Sequence, residues 1–287
     1  MACVGMVTLL LAGCGRSYNS DPLPNMDVVK EIRDAGATAE SDGDSEAVAS
    51  GGTGWGTLKG SFVLVGSAPQ PKILSTGGKD AAACDIHPLS DPTLKVDSAS
   101  GAVQDVLVFV RKVNRVHDSF ESMIEQPVLF DQKECLFLQQ MAVVFSGQVL
   151  TIKNSDPVPH NTAIKPPGDK EINPLLPPGD TFNTTFKRGQ NKPVPVTCSI
   201  HPWMKAYVFP RKDPYAAVSQ ADGTFEIANL PAGEELEFQL WHAAGAGSDN
   251  GIKTSKTGPD GRFKLTIPAD GVEDLQKIEI EPSAFNL

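Results

Sequence analysis

Beyond residue 54 the apolar positions come in short runs, many of them at every second residue, the spacing of half-buried β-strands. Thr57-Leu-Lys-Gly-Ser-Phe-Val-Leu-Val65 is one such run, closed by Gly66-Ser-Ala-Pro69. Val103-Gln-Asp-Val-Leu-Val-Phe-Val-Arg-Lys-Val113 is apolar enough to be a strand buried on both faces. Val143-Val-Phe-Ser-Gly-Gln-Val-Leu-Thr-Ile-Lys-Asn154 reads as two paired strands about a Gly147 turn. The stretch 216–242 reads as alternating strands joined by a hairpin at Asp222-Gly223. Further strands are expected in 260–267 and 278–282. No segment past residue 54 carries a helical period of any length, so the pattern predicts an all-β protein.

The first 54 residues follow another rule. Val4-Gly-Met-Val-Thr-Leu-Leu-Leu-Ala12 is apolar and runs into Leu11-Ala12-Gly13-Cys14. It is too short to span a bilayer. This segment resembles a bacterial lipoprotein signal, which implies removal of residues 1–13 and a lipid on Cys14 as the sole membrane attachment. The protein would then sit in the periplasm or on the cell surface. No Lys or Arg precedes the apolar run, a departure from a signal that points to a start upstream of Met1; an apolar N-terminal strand is the alternative. Residues 14–54 are dominated by Gly, Ala, Ser, Thr, Asp and Glu without apolar periodicity, the composition of a disordered tether.

Composition narrows the partners. The 287 residues suffice for one large or two small domains. With 25 basic against 35 acidic residues the net charge is −10, which speaks against nucleic acid and against direct attraction to anionic lipid. The 26 Gly and 23 Pro suit many short strands joined by tight turns.

The chemistry concentrates in Cys198-Ser-Ile-His201-Pro-Trp-Met204, with His160 upstream in Asn154-Ser-Asp-Pro-Val-Pro-His160-Asn161. A thiolate, two imidazoles and a thioether form a ligand set suited to copper in both oxidation states. A tight Cys-x2-His-x2-Met loop between two strands aims three side chains at one point, and the fourth must come from another strand end. The same soft donors would also hold zinc or cargo Cu(I), or stand empty in a plain β-sandwich. The stretch 130–210 resembles a cupredoxin, and its short loop is similar to the amicyanin and pseudoazurin type. Asn161 matches the Asn with which that family ties its two ligand loops together, and Ser199 matches its small hydroxyl residue after the Cys. The resemblance implies a single type 1 copper held by His160, Cys198, His201 and axial Met204, passing single electrons between extracytoplasmic redox partners whose identity stays open. Pro202 and Trp203 are expected to flank the edge of His201, and Pro157, Pro159, Pro166 and Pro167 to line the neighbouring loop, either as an apolar rim where a partner docks and the electron leaves by the imidazole, or simply as residues that stiffen the loop.

The segment 216–242, ending in Trp241-His242, resembles the closing strands of a transthyretin-like, or carboxypeptidase regulatory-like, β-sandwich. Its opening strands have the character of 57–65 and 103–113. The expected organisation is therefore a discontinuous transthyretin-like sandwich over 55–126 and 211–287, with a Greek-key cupredoxin-like domain at 127–210 inserted in it. In the alternative, 57–113 supplies the first strands of one larger sandwich. Of five cysteines, Cys3 leaves with the leader, Cys14 takes lipid and Cys198 takes copper. Cys84 and Cys135 remain as an even pair in an oxidising compartment, where a disulfide is expected. Cys84-Asp-Ile-His87-Pro echoes the copper loop but lacks a following Met, so no second metal site is expected there. Five histidines in all leave too few for a multicopper cluster, so no enzyme activity is expected. His242 is expected to be a structural packing residue. A non-redox surface binding or scaffold lipoprotein, or a copper carrier, remains the other functional class; fold alone does not decide between them.

Overall fold

The computed structural model describes residues 53–286; the expected leader, Cys14 and all but the end of the tether lie outside them. The chain is built almost wholly of strands: β1 Trp55–Leu64, β2 Leu107–Val110, β3 Val128–Lys133, β4 Leu136–Phe137, β5 Met141–Phe145, β6 Leu150–Asn154, β7 His160–Asn161, β8 Ala163–Ile164, β9 Leu175–Leu176, β10 Thr181–Thr184, β11 Val194–Thr197, β12 Lys205–Arg211, β13 Ala216–Val218, β14 Thr224–Pro231, β15 Glu235–Trp241, β16 Arg262–Thr266 and β17 Val272–Ile280. Two short helices, α1 Ala81–Cys84 and α2 Phe120–Ile124, interrupt the connections. At four and five residues they are too brief to leave a period in the sequence.

Among the described residues the strands make four larger sheets and one two-stranded ribbon. The order β14-β1-β17 faces the order β13-β2-β15-β16, and between them lies an apolar core that includes Leu58, Phe62, Val108, Phe225, Phe238 and Ile278. The orders β10-β6-β3-β4 and β5-β12-β11-β8 enclose a second core containing Phe130, Val144, Ile152, Phe186, Val196 and Val208. Each such fully buried side chain contributes about 1.5–3 kcal/mol relative to exposure. β7 and β9 form the ribbon.

β2 explains why its sequence is apolar at every position. It pairs with β13 and β15, and among the described residues none of its ladder partners comes from 136–209. Successive side chains of a strand point to opposite faces. Val108 and Val110 therefore enter the first core, while Leu107 and Phe109 face a third cluster with Met141, Phe209 and Trp241. That cluster joins the two sandwiches. Arg211, at the end of β12, closes it: its guanidinium lies 5.5 Å from the Phe109 ring and 5.1 Å from Phe209, and donates to the Val110 carbonyl at 2.7 Å and to the Asp213 carboxylate.

Two turns were placed correctly by the sequence but assigned the wrong partners. Asp222-Gly223 does not close a hairpin, because β13 pairs with β2 whereas β14 pairs with β1. Gly147 likewise separates β5, which pairs with β12, from β6, which pairs with β3 and β10. Both are corners at which the chain crosses from one sheet of a sandwich to the other. Gly223 has φ +79° and would set a Cβ 2.5 Å from the Phe62 carbonyl oxygen, so only glycine fits. Its own carbonyl accepts the Phe62 N–H at 3.0 Å, stitching the corner to β1.

The connection from β1 to β2 is long and carries α1. It is fastened by the Cys84–Cys135 disulfide, as expected, with the Cα atoms 5.4 Å apart. Cys84, Leu89 and Cys135 form a small apolar cluster against Trp203 and Val158, which brings this connection over the end of the second sandwich.

Candidate metal centre

The three C-terminal residues of the expected site occupy one tight connection. β11 and β12 pair antiparallel, with Thr197 opposite Lys205, so residues 198–204 are the end loop of a hairpin. The Cys198 N–H donates to the Met204 carbonyl at 3.3 Å and the Met204 N–H to the His201 carbonyl at 2.9 Å. His160 begins β7 and pairs with Leu176 of β9. The Asn154 amide fixes the approach to it by donating to the carbonyls of Val158 and Leu176, each at 2.9 Å.

Asn161 joins the two loops. Its side-chain oxygen accepts the Ser199 N–H at 2.7 Å and the Ile200 N–H at 3.3 Å, and lies 3.4 Å from the Cys198 sulfur. Its amide reaches Asn173 at 2.5 Å and Ser199 Oγ at 3.4 Å.

The structure brings His160, Cys198 and His201 together. One donor atom from each lies within 4.8 Å of the others, and all three residues are buried. The two Nδ1 atoms are 2.8 Å apart, and Cys198 Sγ is 3.9 Å from His201 Nδ1. Met204 is fully buried in the same apolar core as Cys198. A second group of donor atoms, Cys135, Asp156 and His160, is not an independent site, because Cys135 is spent in the disulfide.

Two residues that the sequence did not single out complete the arrangement. Asp156 Oδ2 meets His160 Nε2 at 2.8 Å, and Asp80 Oδ2 meets His201 Nε2 at 2.9 Å. Each carboxylate accepts a hydrogen bond from the Nε2–H of its imidazole, which assigns the tautomer. Both Nδ1 lone pairs are then left facing one another beside a thiol. Two imidazole nitrogens and a sulfur directed at one another can share one bound cation, or the imidazole and thiol protons in the metal-free protein. The donor set therefore fits a soft or borderline metal ion. Asp156, four residues before His160 in a Ser-Asp-Pro turn, left a faint sequence signal. Asp80 left none, since it reaches the site across 121 positions.

Electrostatics follow the contacts. Burial pushes the Cys198 thiol up, but hydrogen bonding from His160 and from the N–H groups of Asn161, His201 and Ile200 outweighs it and holds the thiol below its ordinary range. Burial opposes charge on His160, yet Asp156 and Cys198 together hold it above the usual imidazole value. His201 moves the other way: burial, reinforced by the neighbouring His160 charge, outweighs Asp80 and lowers it. Asp156 is held low, its burial offset by His160 and by the Cys135 and Glu134 N–H groups.

The expected exposed exit is corrected here. Trp203 does flank His201, with ring centroids 5.0 Å apart, and Pro157, Pro159, Pro167 and Pro202 are exposed while Pro166 is buried. But the His201 side chain itself is 0% exposed. The connection between β1 and β2 crosses over it and places Asp80 on the edge through which the electron was expected to leave. The echo motif carries no site: Cys84 is bonded and His87 lies exposed near Glu134 at 3.7 Å.

No protein-family profile matches this chain, and no curated protein matches it by sequence. Solved structures similar to parts of it include a copper-containing nitrite reductase from Thermus scotoductus SA-01, with 21% identity and a TM-score of 0.28 over 30% of this chain and 22% of that one. The chain thus spans about a fifth of that enzyme's length. A reduced Cu(I) form of an amicyanin variant shares 18% identity, with a TM-score of 0.27 over 30% of this chain and 84% of that one. The purple cupredoxin from Nitrosopumilus maritimus shares 24%, with a TM-score of 0.25 over 30% of this chain and 99% of that one.

Proposed function

We propose that this protein is a blue copper electron carrier, with one copper held by His160, Cys198 and His201 as strong ligands and by Met204 as a weak axial one. The observation that carries this is the convergence of two imidazole lone pairs and a buried thiol, the Nδ1 atoms only 2.8 Å apart. A copper ion bound there supplies the one-electron couple between Cu(I) and Cu(II). The chain supplies the rest. The β11–β12 end loop fixes three donors before any metal arrives, and the apolar core around Cys198 and Met204 excludes water from the sulfurs. A pre-shaped, dry donor set changes little between oxidation states, which favours electron transfer over ligand exchange.

In this reading the segment 127–210 is the copper unit, carried within a transthyretin-like sandwich whose strands come from both sides of it; the pairing of β2 with β13 and β15 supports that division. A lipid on Cys14 and the segment to residue 54 would leash the unit outside the cytoplasm, in the periplasm or at the cell surface. Its acidic balance suits a basic redox partner protein.

Purified protein titrated with Cu(II) should take up one equivalent and develop the intense visible band of a copper–thiolate bond. Cys198→Ser should abolish that band and Met204→Gln should keep copper but lower its potential. A colourless Cu(II) adduct of the unaltered protein overturns the proposal.

A further inference from the structure

We infer that Asp80, Asp156 and the Cys84–Cys135 disulfide form one outer clamp that orients both imidazoles of the copper centre, the two carboxylates acting as positioning residues. The inference rests on the copper reading above and deepens it. It starts from a closed circuit of contacts. His160 Nε2 donates to Asp156 at 2.8 Å. The Asp156 carboxylate is held in turn by the Glu134 and Cys135 N–H groups at 2.6 and 2.8 Å. Cys135 is bonded to Cys84, whose N–H donates to the Asp80 carbonyl at 2.9 Å. The Asp80 carboxylate accepts from His201 Nε2 at 2.9 Å, and the circuit closes between the two Nδ1 atoms at 2.8 Å. Trp203 braces it from inside, donating Nε1–H to the Cys135 carbonyl at 3.0 Å while its ring lies against His201.

The backbone is bent to make these contacts. Asp80, Glu134 and Cys135 all adopt positive φ, at 50°, 56° and 54°, a left-handed conformation that costs non-glycine residues roughly 1–3 kcal/mol each. The consecutive pair at Glu134-Cys135 turns two adjacent N–H groups onto one carboxylate. The disulfide thus fastens together the two backbone segments that serve the two carboxylates. Two sequence-distant segments, one serving His160 and the other His201, are made into a single support.

The chemical consequence is specific. A carboxylate on the outer N–H pins the ring and makes its inner nitrogen a stronger donor. A stronger donor favours the more highly charged Cu(II) over Cu(I).

The test compares the full chain with Asp80→Ala, Asp80→Asn and Asp156→Asn, using Cu(II) and Cu(I) ions in competition with chelators, the reduction potential, and imidazole nitrogen NMR of the metal-free proteins. Asp80 is on a partly exposed connection, so its variants serve even where Asp156→Asn fails to fold. Asp80→Ala should weaken Cu(II) binding by roughly 10–100-fold and Cu(I) binding less. Each tenfold of that difference raises the potential by about 59 mV. Asp80→Asn keeps an acceptor oxygen without the charge, so it should retain the metal-free His201 tautomer while still raising the potential. Copper binding by Asp80→Ala with wild-type affinity and potential overturns the clamp while leaving the copper centre intact. Unaltered protein that binds no copper sinks the copper reading instead. The NMR arm then decides the clamp alone: His201 nitrogen shifts moved by Asp80→Ala support it, and unmoved shifts overturn it.

Discussion

The two sandwiches each bury imidazole, and they do so with opposite electrostatics. In the first, His242 sits fully buried beside Phe285. Its Nε2 faces the Gln104 carbonyl at 3.3 Å and its Nδ1 accepts the Ala244 N–H at 3.1 Å. One donor and one acceptor are each matched by a neutral backbone group, so the ring is complete as it stands. Burial, helped by the field of Lys95, pushes it down to about 4, and it stays neutral. In the second, His160 and His201 are equally buried, but carboxylates take their outer nitrogens, and the inner ones face only each other and the Cys198 thiol. A buried histidine is therefore not in itself a functional signal. What distinguishes the two is the hydrogen-bonding capacity left over after the fold is made.

The largest expected effect tests whether the second arrangement depends on its covalent tie. Replacing Cys84 and Cys135 with Ser releases a 51-residue separation, which in the chain-entropy model costs about 4 kcal/mol of stability. Urea unfolding of the full chain reads this. NMR of the same variant should show His160 and His201 disturbed and His242 untouched; equal disturbance of all three would erase the contrast between the sites.

Next in size is the acid response of His242. Its folded value of about 4 lies below the unfolded 6.5, so the neutral ring contributes stability that is complete above pH 6.5. That contribution falls as pH drops from 6.5 to about 4 and is flat below. At 1.36 kcal/mol per unit the full loss is about 3 kcal/mol. Other groups titrate in the same range, so the measure is a difference: His242→Gln, which can keep both backbone contacts, should flatten the stability profile in that window by this amount. A profile parallel to that of the unaltered protein would show that His242 is already charged or exposed.

The smallest effect concerns the brace between the sites' surroundings. Trp203→Phe keeps the ring against His201 but leaves the Cys135 carbonyl without its indole donor. A loss of about 1 kcal/mol is expected, with the His160 and His201 resonances shifted and no change at His242. A stability change without those shifts would confine Trp203 to packing.

Much of this was fixed by local sequence. Alternating apolar runs identified the strands, and the double-sided burial of β2 was visible in Leu107-Val-Phe-Val110 because no position there tolerates water. The order and spacing of Cys198, His201 and Met204 followed from the reach of one end loop, and Asn161 from its place beside His160. The Cys84–Cys135 disulfide was expected from the cysteine count together with the oxidising compartment that the leader's resemblance implied. Other features belonged to the tertiary structure. A turn residue such as Gly147 or Gly223 reports that the chain reverses, but whether the next strand pairs with its neighbour or crosses to the opposite sheet depends on which apolar faces meet. Asp80 acts on His201 from 121 residues away, and no period or motif encodes such a distance. Nor could local pattern tell that the connection carrying it would close over the imidazole edge. Spacing determines what one loop can hold; only the packing of distant segments decides what is left exposed around it.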